Sequence, residues 1–405
     1  MLRQLILLCS LCFSVAASAA SPPGFVRVGN ELKVVKDGGS GLDVRYLTSG
    51  NHLDTVLYAT DHGWSKDGRF IYFESDRPHP QGKGNPKDWQ LMAVEEATGE
   101  IYHVARIPFR PEYKTDVLAY HANLNPKNNQ LFVVDRSGTR LYCKQLSTGG
   151  FKRVYTTQGE TIIKAPPSFS ADGRQLCLLV ATPRGSDATH NGWTYEIRVL
   201  AIRNNAGDLN GERSLVTQDG LRAKDGKPEI TLSHAAFRPT DSGQISYKRG
   251  NAVRTVRTNV QEDRQLYEYT GTGWRDHHGW SRNGESIQYV ENGDLGRYRI
   301  SDGNTAKYAT DMAYDGWHQD DGGSGRIVFD HRVPDTAWDA NDNRPGAIVL
   351  FDTATRSTRL LCSTVFSKSH PRHPHPQFSP DSTKVAFNTS FENRCRVTSV
   401  RVPQD

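Results

Sequence analysis

Gln377-Phe378-Ser379-Pro380-Asp381-Ser382-Thr383-Lys384-Val385-Ala386-Phe387 is the stretch that decides the fold. An apolar residue leads into a polar turn, and the turn leads into a short run suited to a strand. Trp64-Ser65-Lys66-Asp67-Gly68-Arg69-Phe70-Ile71 repeats the pattern, as do Leu124-Asn125-Pro126-Lys127-Asn128-Asn129-Gln130-Leu131 and Phe169-Ser170-Ala171-Asp172-Gly173-Arg174-Gln175-Leu176. Further copies are Phe237-Arg238-Pro239-Thr240-Asp241 with Ile245-Ser246-Tyr247, and Trp280-Ser281-Arg282-Asn283-Gly284 with Ile287-Gln288-Tyr289. A degenerate copy starts at Trp317 and continues into Arg326-Ile327-Val328-Phe329.

The seven anchors are Trp64, Leu124, Phe169, Phe237, Trp280, Trp317 and Phe378. Their spacing runs from 37 residues (Trp280 to Trp317) to 68 (Phe169 to Phe237). The short intervals suit one four-stranded sheet, and the long ones a sheet with loop insertions. Most copies are followed by a second strand pair, such as Arg140 to Gly150 and Ile348 to Thr355. Seven sheets that cannot bury both faces alone bury one another when arranged radially. The expected fold is therefore all-β, a seven-bladed β-propeller. A two-domain β-sandwich is the rival, and the regular repeat disfavours it. Phe25 to Val35 is expected to complete the seventh sheet from the other end of the chain.

Composition agrees. The 405 residues include 36 Gly, 20 Pro and only 3 Met, and Val, Ile, Tyr and Phe fall in short runs between turn residues. Residues 1–20 read as a secretory signal: Arg3, an apolar core from Leu5 to Val15, then Ala17-Ser18-Ala19. Residues 21–405 then form one domain, expected to be secreted or periplasmic with no membrane anchor. Four cysteines remain, Cys143, Cys177, Cys362 and Cys395. Free or structural thiols are the expectation, with Cys362–Cys395 the pair to consider for a bridge. The formal charge of +5 becomes +4 without Arg3. That suits an acidic ligand, while the lack of a dense basic stripe with interleaved aromatics argues against nucleic acid.

Histidines mark the candidate site. The residues three before each anchor are Asp61, His121, Pro166, His234, His277, Tyr314 and His375, so four of the seven are histidine in a chain with 14. First strands of propeller blades line the channel, so equal offsets in different blades converge at one of its ends. His370 and His373 lie just ahead of His375, and His373 and His375 share a side of an extended segment. Imidazole binds zinc, manganese, nickel and iron, and three imidazoles suffice for a site with open positions. His277, His373 and His375 are read as metal ligands. His52, His103 and His190 are read as structural, His278 as pointing away, and His318 as structural or functional on equal terms.

These elements resemble the oligogalacturonate lyases, seven-bladed propellers of pectin breakdown. Three matches carry the resemblance: His373-Pro374-His375-Pro376-Gln377-Phe378-Ser379-Pro380, His277-His278-Gly279-Trp280, and His234-Ala235-Ala236-Phe237-Arg238-Pro239. It implies a divalent metal held by His277, His373 and His375, with manganese the first expectation and zinc or nickel as alternatives. The family's fourth ligand is a glutamine where this chain has His370, which the resemblance makes the expected fourth ligand, an imidazole in place of an amide oxygen. It also implies His234 as catalytic base, Arg198 as partner of the substrate carboxylate, and an acidic oligosaccharide as substrate. The expected reaction is β-elimination at a uronate, most simply in oligogalacturonate, with water or Tyr314 as proton donor. The competing expectation is a non-enzymatic exported propeller of the TolB-like kind that binds a protein or glycan.

Overall fold

The computed structural model describes residues 21–404 except 59–62, 110–119, 126, 185–191, 223–227, 260–261, 270–274, 292–293, 309–317, 324, 334–338, 340–342, 368–370 and 393. The described residues form seven antiparallel sheets of four or five strands, a small hairpin (Leu221–Arg222 with Pro228–Ile230) and no α-helix. The sheets follow chain order as blades I to VII. Their innermost strands are Asp54–Val56, Ala122–Asn125, Ile162–Ile163 with Ser168–Phe169, Leu232–Arg238, Arg275–Trp280, Gln319–Asp321 and Gln377–Phe378.

Strand periodicity builds the core. Along Gln130–Val134 of blade II, Leu131 and Val133 pack with blade I, and Phe132 and Val134 pack with blade III. Alternate side chains leave opposite faces of a strand, so one apolar run serves two interfaces. Among the described residues there are seven apolar clusters, each drawn mainly from two adjacent blades. The ring closes through the cluster shared by blades I and VII, where Val56, Trp64 and Phe73 meet Ala386 and Val397.

The repeated turn has a repeated hydrogen-bond set. In blade I, Ser65 Oγ donates to Asp67 Oδ1 at 2.6 Å and accepts from Phe70 N at 2.8 Å, and Asp67 Oδ1 also accepts Arg69 N at 3.1 Å. Ser170 with Asp172, Ser281 with Asn283 and Ser379 with Asp381 repeat the first contact at 2.6, 2.8 and 2.5 Å. The turn needs one left-handed residue. Gly68, Gly173 and Gly284 supply it at φ 69, 70 and 68°, and Ser382 supplies it at 57° in blade VII.

Two expectations change, and the expectation of free thiols is met. The N-terminal segment is divided between two blades. Val26–Asn30 pairs with Glu100–Ile107 at the outer edge of blade I, and Lys33–Lys36 and Asp43–Tyr46 complete blade VII against Arg394–Arg401. Cys362 and Cys395 are not bridged; all four described cysteines are free and buried. Burial in apolar surroundings pushes the Cys395 thiol up to about 12, which leaves it unreactive.

The second change is the register of blade VI. Gly322 N donates to Arg326 O, as Ser379 N donates to Lys384 O in blade VII, and Asp321 opposes Ile327 as Phe378 opposes Val385. Asp321 therefore holds the anchor position assigned to Trp317. The residue three before it is His318, not Tyr314. Trp317 and Tyr314 themselves lie outside the described residues.

The anchors do converge. Trp64, Phe169, Phe237, Trp280, Asp321 and Phe378 line one cavity of about 300 Å3 on the inner strands.

Candidate metal centre and base

Three histidines reach the site by the same backbone device. His234, His277 and His375 have φ of 51, 59 and 46°. In blade IV, Ser233 pairs with Lys248 and Ala236 with Ser246, so His234 and Ala235 together oppose Tyr247. In blade V, Asp276 pairs with Val290 and Gly279 with Gln288, so His277 and His278 together oppose Tyr289. In blade VII, Asn388 N donates to Pro374 O at 2.7 Å and Gln377 pairs with Ala386, which puts His375 and Pro376 opposite Phe387. Each is a bulge whose first residue is a left-handed histidine. A non-glycine residue held there costs about 1–3 kcal/mol, and such strain collects where function needs a side chain aimed against its strand.

Blades II and VI reach the corresponding level without a bulge. His121 O accepts Val134 N, and His318 O accepts Asp330 N. A carboxylate grips each histidine instead. Glu74 Oε1 accepts His121 N at 2.6 Å and Oε2 lies 2.7 Å from its Nδ1. Asp330 Oδ1 accepts His318 N at 2.9 Å and Oδ2 lies 2.9 Å from its Nδ1. A carboxylate on Nδ1 fixes the tautomer that presents Nε2 and raises its basicity as a ligand.

His318, His373 and His375 are all buried and each offers a ligand nitrogen within 4.8 Å of the others. Ring centroids are 4.0 Å apart for His318 and His375 and 5.3 Å for His318 and His373. His277 stands beside them, 4.3 Å from His318, and His234 is 5.7 Å beyond His277. Buried imidazoles converging at this range fit a divalent transition-metal ion. His370 lies outside the described residues.

Blade VII sets this arrangement. Asn388 Nδ2 donates to His373 O at 2.8 Å, and its Oδ1 accepts Val56 N of blade I at 2.8 Å. Gln377 Nε2 donates to the carbonyls of Leu57 and, at 2.9 Å, Tyr58. Tyr58 is thereby held among the histidines. Its ring centroid lies 5.0 Å from His375, 6.0 Å from His318, 6.3 Å from His234 and 6.5 Å from His277. The Tyr120 hydroxyl sits 2.9 Å from His375 Nδ1 and donates to Pro371 O at 3.2 Å.

His234 has a contact at each ring nitrogen. Its Nδ1 is 3.1 Å from Ser233 Oγ, and its Nε2 is 3.5 Å from the Tyr58 hydroxyl. With the Nδ1 proton directed to Ser233, Nε2 carries the lone pair.

Arg198 is elsewhere. It lies in Trp193–Ile202, the third strand of blade III, where Nε and Nη2 donate to Glu196 at 2.9 and 3.1 Å and Nη1 donates to Glu212 at 2.8 Å. The structure does not bring it to the histidines. His103 pairs with Gln90 at 3.0 Å and His52 with Asp76 at 3.3 Å, both as structural contacts. His278 is buried, 5.6 Å from His234.

Sequence reasoning left His318 undecided and missed Tyr58 and Tyr120. The degenerate turn hides the offset of His318, and the carboxylate twelve residues on, Asp330 in its strand run, is the signal that could have decided it. Tyr58 and Tyr120 come from the approaches to the inner strands and carry no repeat signal.

A seven-bladed propeller with a buried histidine cluster at one end of its channel is thus the class of protein that fold and site define. No family model and no curated protein sequence matches the chain. Among solved structures, an oligogalacturonate lyase in complex with manganese superposes with a TM-score of 0.74 at 14% identity, covering 94% of this chain and 99% of that one. An oligogalacturonate lyase from Vibrio parahaemolyticus gives 0.73 at 15%, with the same coverage. The Cps50 (Swd1) propeller domain from Myceliophteria thermophila gives 0.52 at 8%, covering 88% of this chain and 100% of that one. The fold is that of the oligogalacturonate lyase propellers over nearly its whole length.

Proposed function

We propose that this protein is a metal-dependent lyase that cleaves uronate-containing oligosaccharides by β-elimination, leaving a 4,5-unsaturated uronate. One observation carries the reading: His318, His373 and His375 offer three ligand nitrogens within 4.8 Å, with a histidine set up as a base, His234, at the margin of the same cluster. The likeness in fold to oligogalacturonate lyases adds support and makes oligogalacturonate the reference substrate.

His318, His373 and His375 would hold the ion, with His277 beside them as a further ligand. A divalent ion there supplies positive charge to the substrate carboxylate and so makes the neighbouring C5 proton more acidic. Manganese is the proposed metal, with zinc or nickel as the alternatives that all-imidazole ligation favours. Nε2 of His234 takes the C5 proton, since a neutral imidazole near pH 7 suits that step. The C4 glycosidic oxygen leaves with the electron pair of its bond. Gln377 and Asn388 hold the backbone around Tyr58 and His373, so the groups are placed before substrate arrives. The signal-like pattern of residues 1–20 supports a location in the periplasm or outside the cell as part of this proposal.

The test is spectroscopic. Protein stripped with chelator and reloaded with manganese, zinc or nickel is mixed with oligogalacturonides and other uronate oligomers, and the ultraviolet absorbance of the unsaturated product is followed. Metal-dependent absorbance with a uronate is expected. Silence with every uronate and every metal overturns the proposal.

A further inference from the structure

We infer that Tyr58 is the proton donor to the leaving C4 oxygen, and that the site therefore acts on uronates whose C5 hydrogen and C4 oxygen lie on the same face of the ring. This rests on the lyase reading. The observation is a distance: the Tyr58 hydroxyl is 3.5 Å from His234 Nε2.

That separation has a stereochemical consequence. A base and an acid that attack opposite faces of a pyranose must stand on either side of it. Groups that flank a sugar with room for a small molecule are about 6.5–9.5 Å apart. Two groups 3.5 Å apart cannot straddle the ring, but they match the spacing of a C5 hydrogen and a C4 oxygen on one face. Gluco- and manno-configured uronates present that face. Galacto-configured uronates carry the two groups on opposite faces and would need a donor elsewhere.

The fold supports the assignment. Tyr58 follows Asp54–Val56, the innermost strand of blade I, and its backbone is held by Gln377 of blade VII. Its ring lies within 6.5 Å of His234, His277, His318 and His375, so a sugar whose carboxylate faces the cluster and whose C5 faces His234 also meets Tyr58.

The proton balance closes within the pair. His234 Nε2 takes the C5 proton, the C5 electron pair forms the C4–C5 double bond, and the C4–O bond breaks. Tyr58 gives its proton to the departing oxygen, which leaves as an alcohol. The resulting imidazolium and phenolate are hydrogen-bond neighbours. Transfer of the proton from Nε2 to the phenolate oxygen restores both groups without a solvent molecule.

The experiment compares metal-loaded wild type and Tyr58→Phe on oligomers of glucuronate, mannuronate and galacturonate, with metal content measured for both. Wild type should form unsaturated product at least tenfold faster from the gluco- or manno-configured substrate. Tyr58→Phe should keep its metal and its KM and lose about 10²–10⁴-fold in kcat, the scale of a general acid. In D2O the variant should still exchange the C5 proton of uncleaved substrate, because removal of that proton remains possible when expulsion of oxygen does not. A merely structural role would not produce exchange without cleavage. A preference for galacturonate, or a variant with kcat near that of wild type, overturns the inference and leaves the lyase reading standing. Absence of product from every uronate overturns both.

Discussion

The two oxygens of Asp330 hold the two nitrogen functions of His318, its backbone N–H at 2.9 Å and its ring Nδ1 at 2.9 Å. Both residues are fully buried. The imidazole thus enters the cluster with its orientation fixed by the second strand of its own blade, independently of any ion. His318→Ala should abolish stoichiometric metal binding, and Asp330→Asn should weaken it about 10–100-fold, as loss of a ligand's outer partner does. Metal titration followed by calorimetry checks both. His121→Ala, which removes a histidine gripped in the same way by Glu74, should leave the stoichiometry intact.

Base and metal should separate on mutation. His234→Ala is expected to lose at least 10²-fold in kcat while retaining the ion. Arg198→Ala should leave KM for a uronate substrate unchanged and lower stability by about 1–2 kcal/mol through its contacts with Glu196 and Glu212. Steady-state kinetics with metal analysis distinguishes these outcomes from the alternative in which Arg198 binds the carboxylate.

Left-handed histidines should reveal their strain. At His277, φ is 59°, a conformation in which glycine loses nothing to its side chain. His277→Gly should therefore be more stable than His277→Ala by about 1 kcal/mol. Urea unfolding of the two metal-free variants measures the difference.

A buried ion network should make stability depend on acid. Arg77 donates to Glu31 at 2.7 and 2.9 Å and to Asp54 at 3.1 and 2.7 Å. Burial acts to raise the Glu31 carboxyl, but hydrogen bonds from Arg77 and Ser49 outweigh it and hold the group at about 2. A depressed carboxyl contributes stability that is complete above its unfolded value near 4.5 and disappears as pH falls through about 2. Glu31→Gln should cost about 2–3 kcal/mol at pH 7 and little at pH 2. Arg77→Met, which strands two carboxylates, should cost about 3–5 kcal/mol at pH 7.

Asp320 should show the opposite sign. It lines the cavity on the inner strands, and burial raises it to about 6 against the opposing pull of Arg282 and Phe378 N. A carboxyl that keeps its proton in the folded state makes the fold less stable as pH rises from about 4 to about 6. Asp320→Asn should remove that decline. Thermal unfolding from pH 4 to 7, compared between variant and wild type, measures it.

What the sequence made legible follows the local physics of each element. The turns were readable because Ser, Asp and Gly make the same hydrogen bonds in blades I and III, and the anchors because a blade's first strand needs an apolar residue over the channel. Blade VI broke both rules. Asp321 stands where the other blades place an apolar residue, so counting from Trp317 shifted the offset by four residues and left His318 off the ring position. His234, His277 and His375 were found by their equal spacing, yet their shared bulge was invisible, since positive φ in a histidine leaves no mark on composition. Arg198 was assigned by likeness alone. A guanidinium can be placed only by its carboxylates, and Glu212 comes from the next strand over. Tyr58 depends on Gln377, a contact between opposite ends of the chain that no local pattern records.

The division of the N-terminal segment between blades I and VII governs the order in which the molecule can assemble. Val26–Asn30 finds Glu100–Ile107 soon after synthesis, but Val44 must wait for Val400. Lys33–Lys36 and Asp43–Tyr46 pair with each other, but the far edge of Asp43–Tyr46 stays open until the last strand emerges, and so non-local a closure slows folding. The Tyr58 backbone is fixed by Gln377, and His373 and Val56 are joined through Asn388, only when that closure occurs. Six blades can be in place with the site still unassembled; the histidine cluster comes into being with the final seam of the ring.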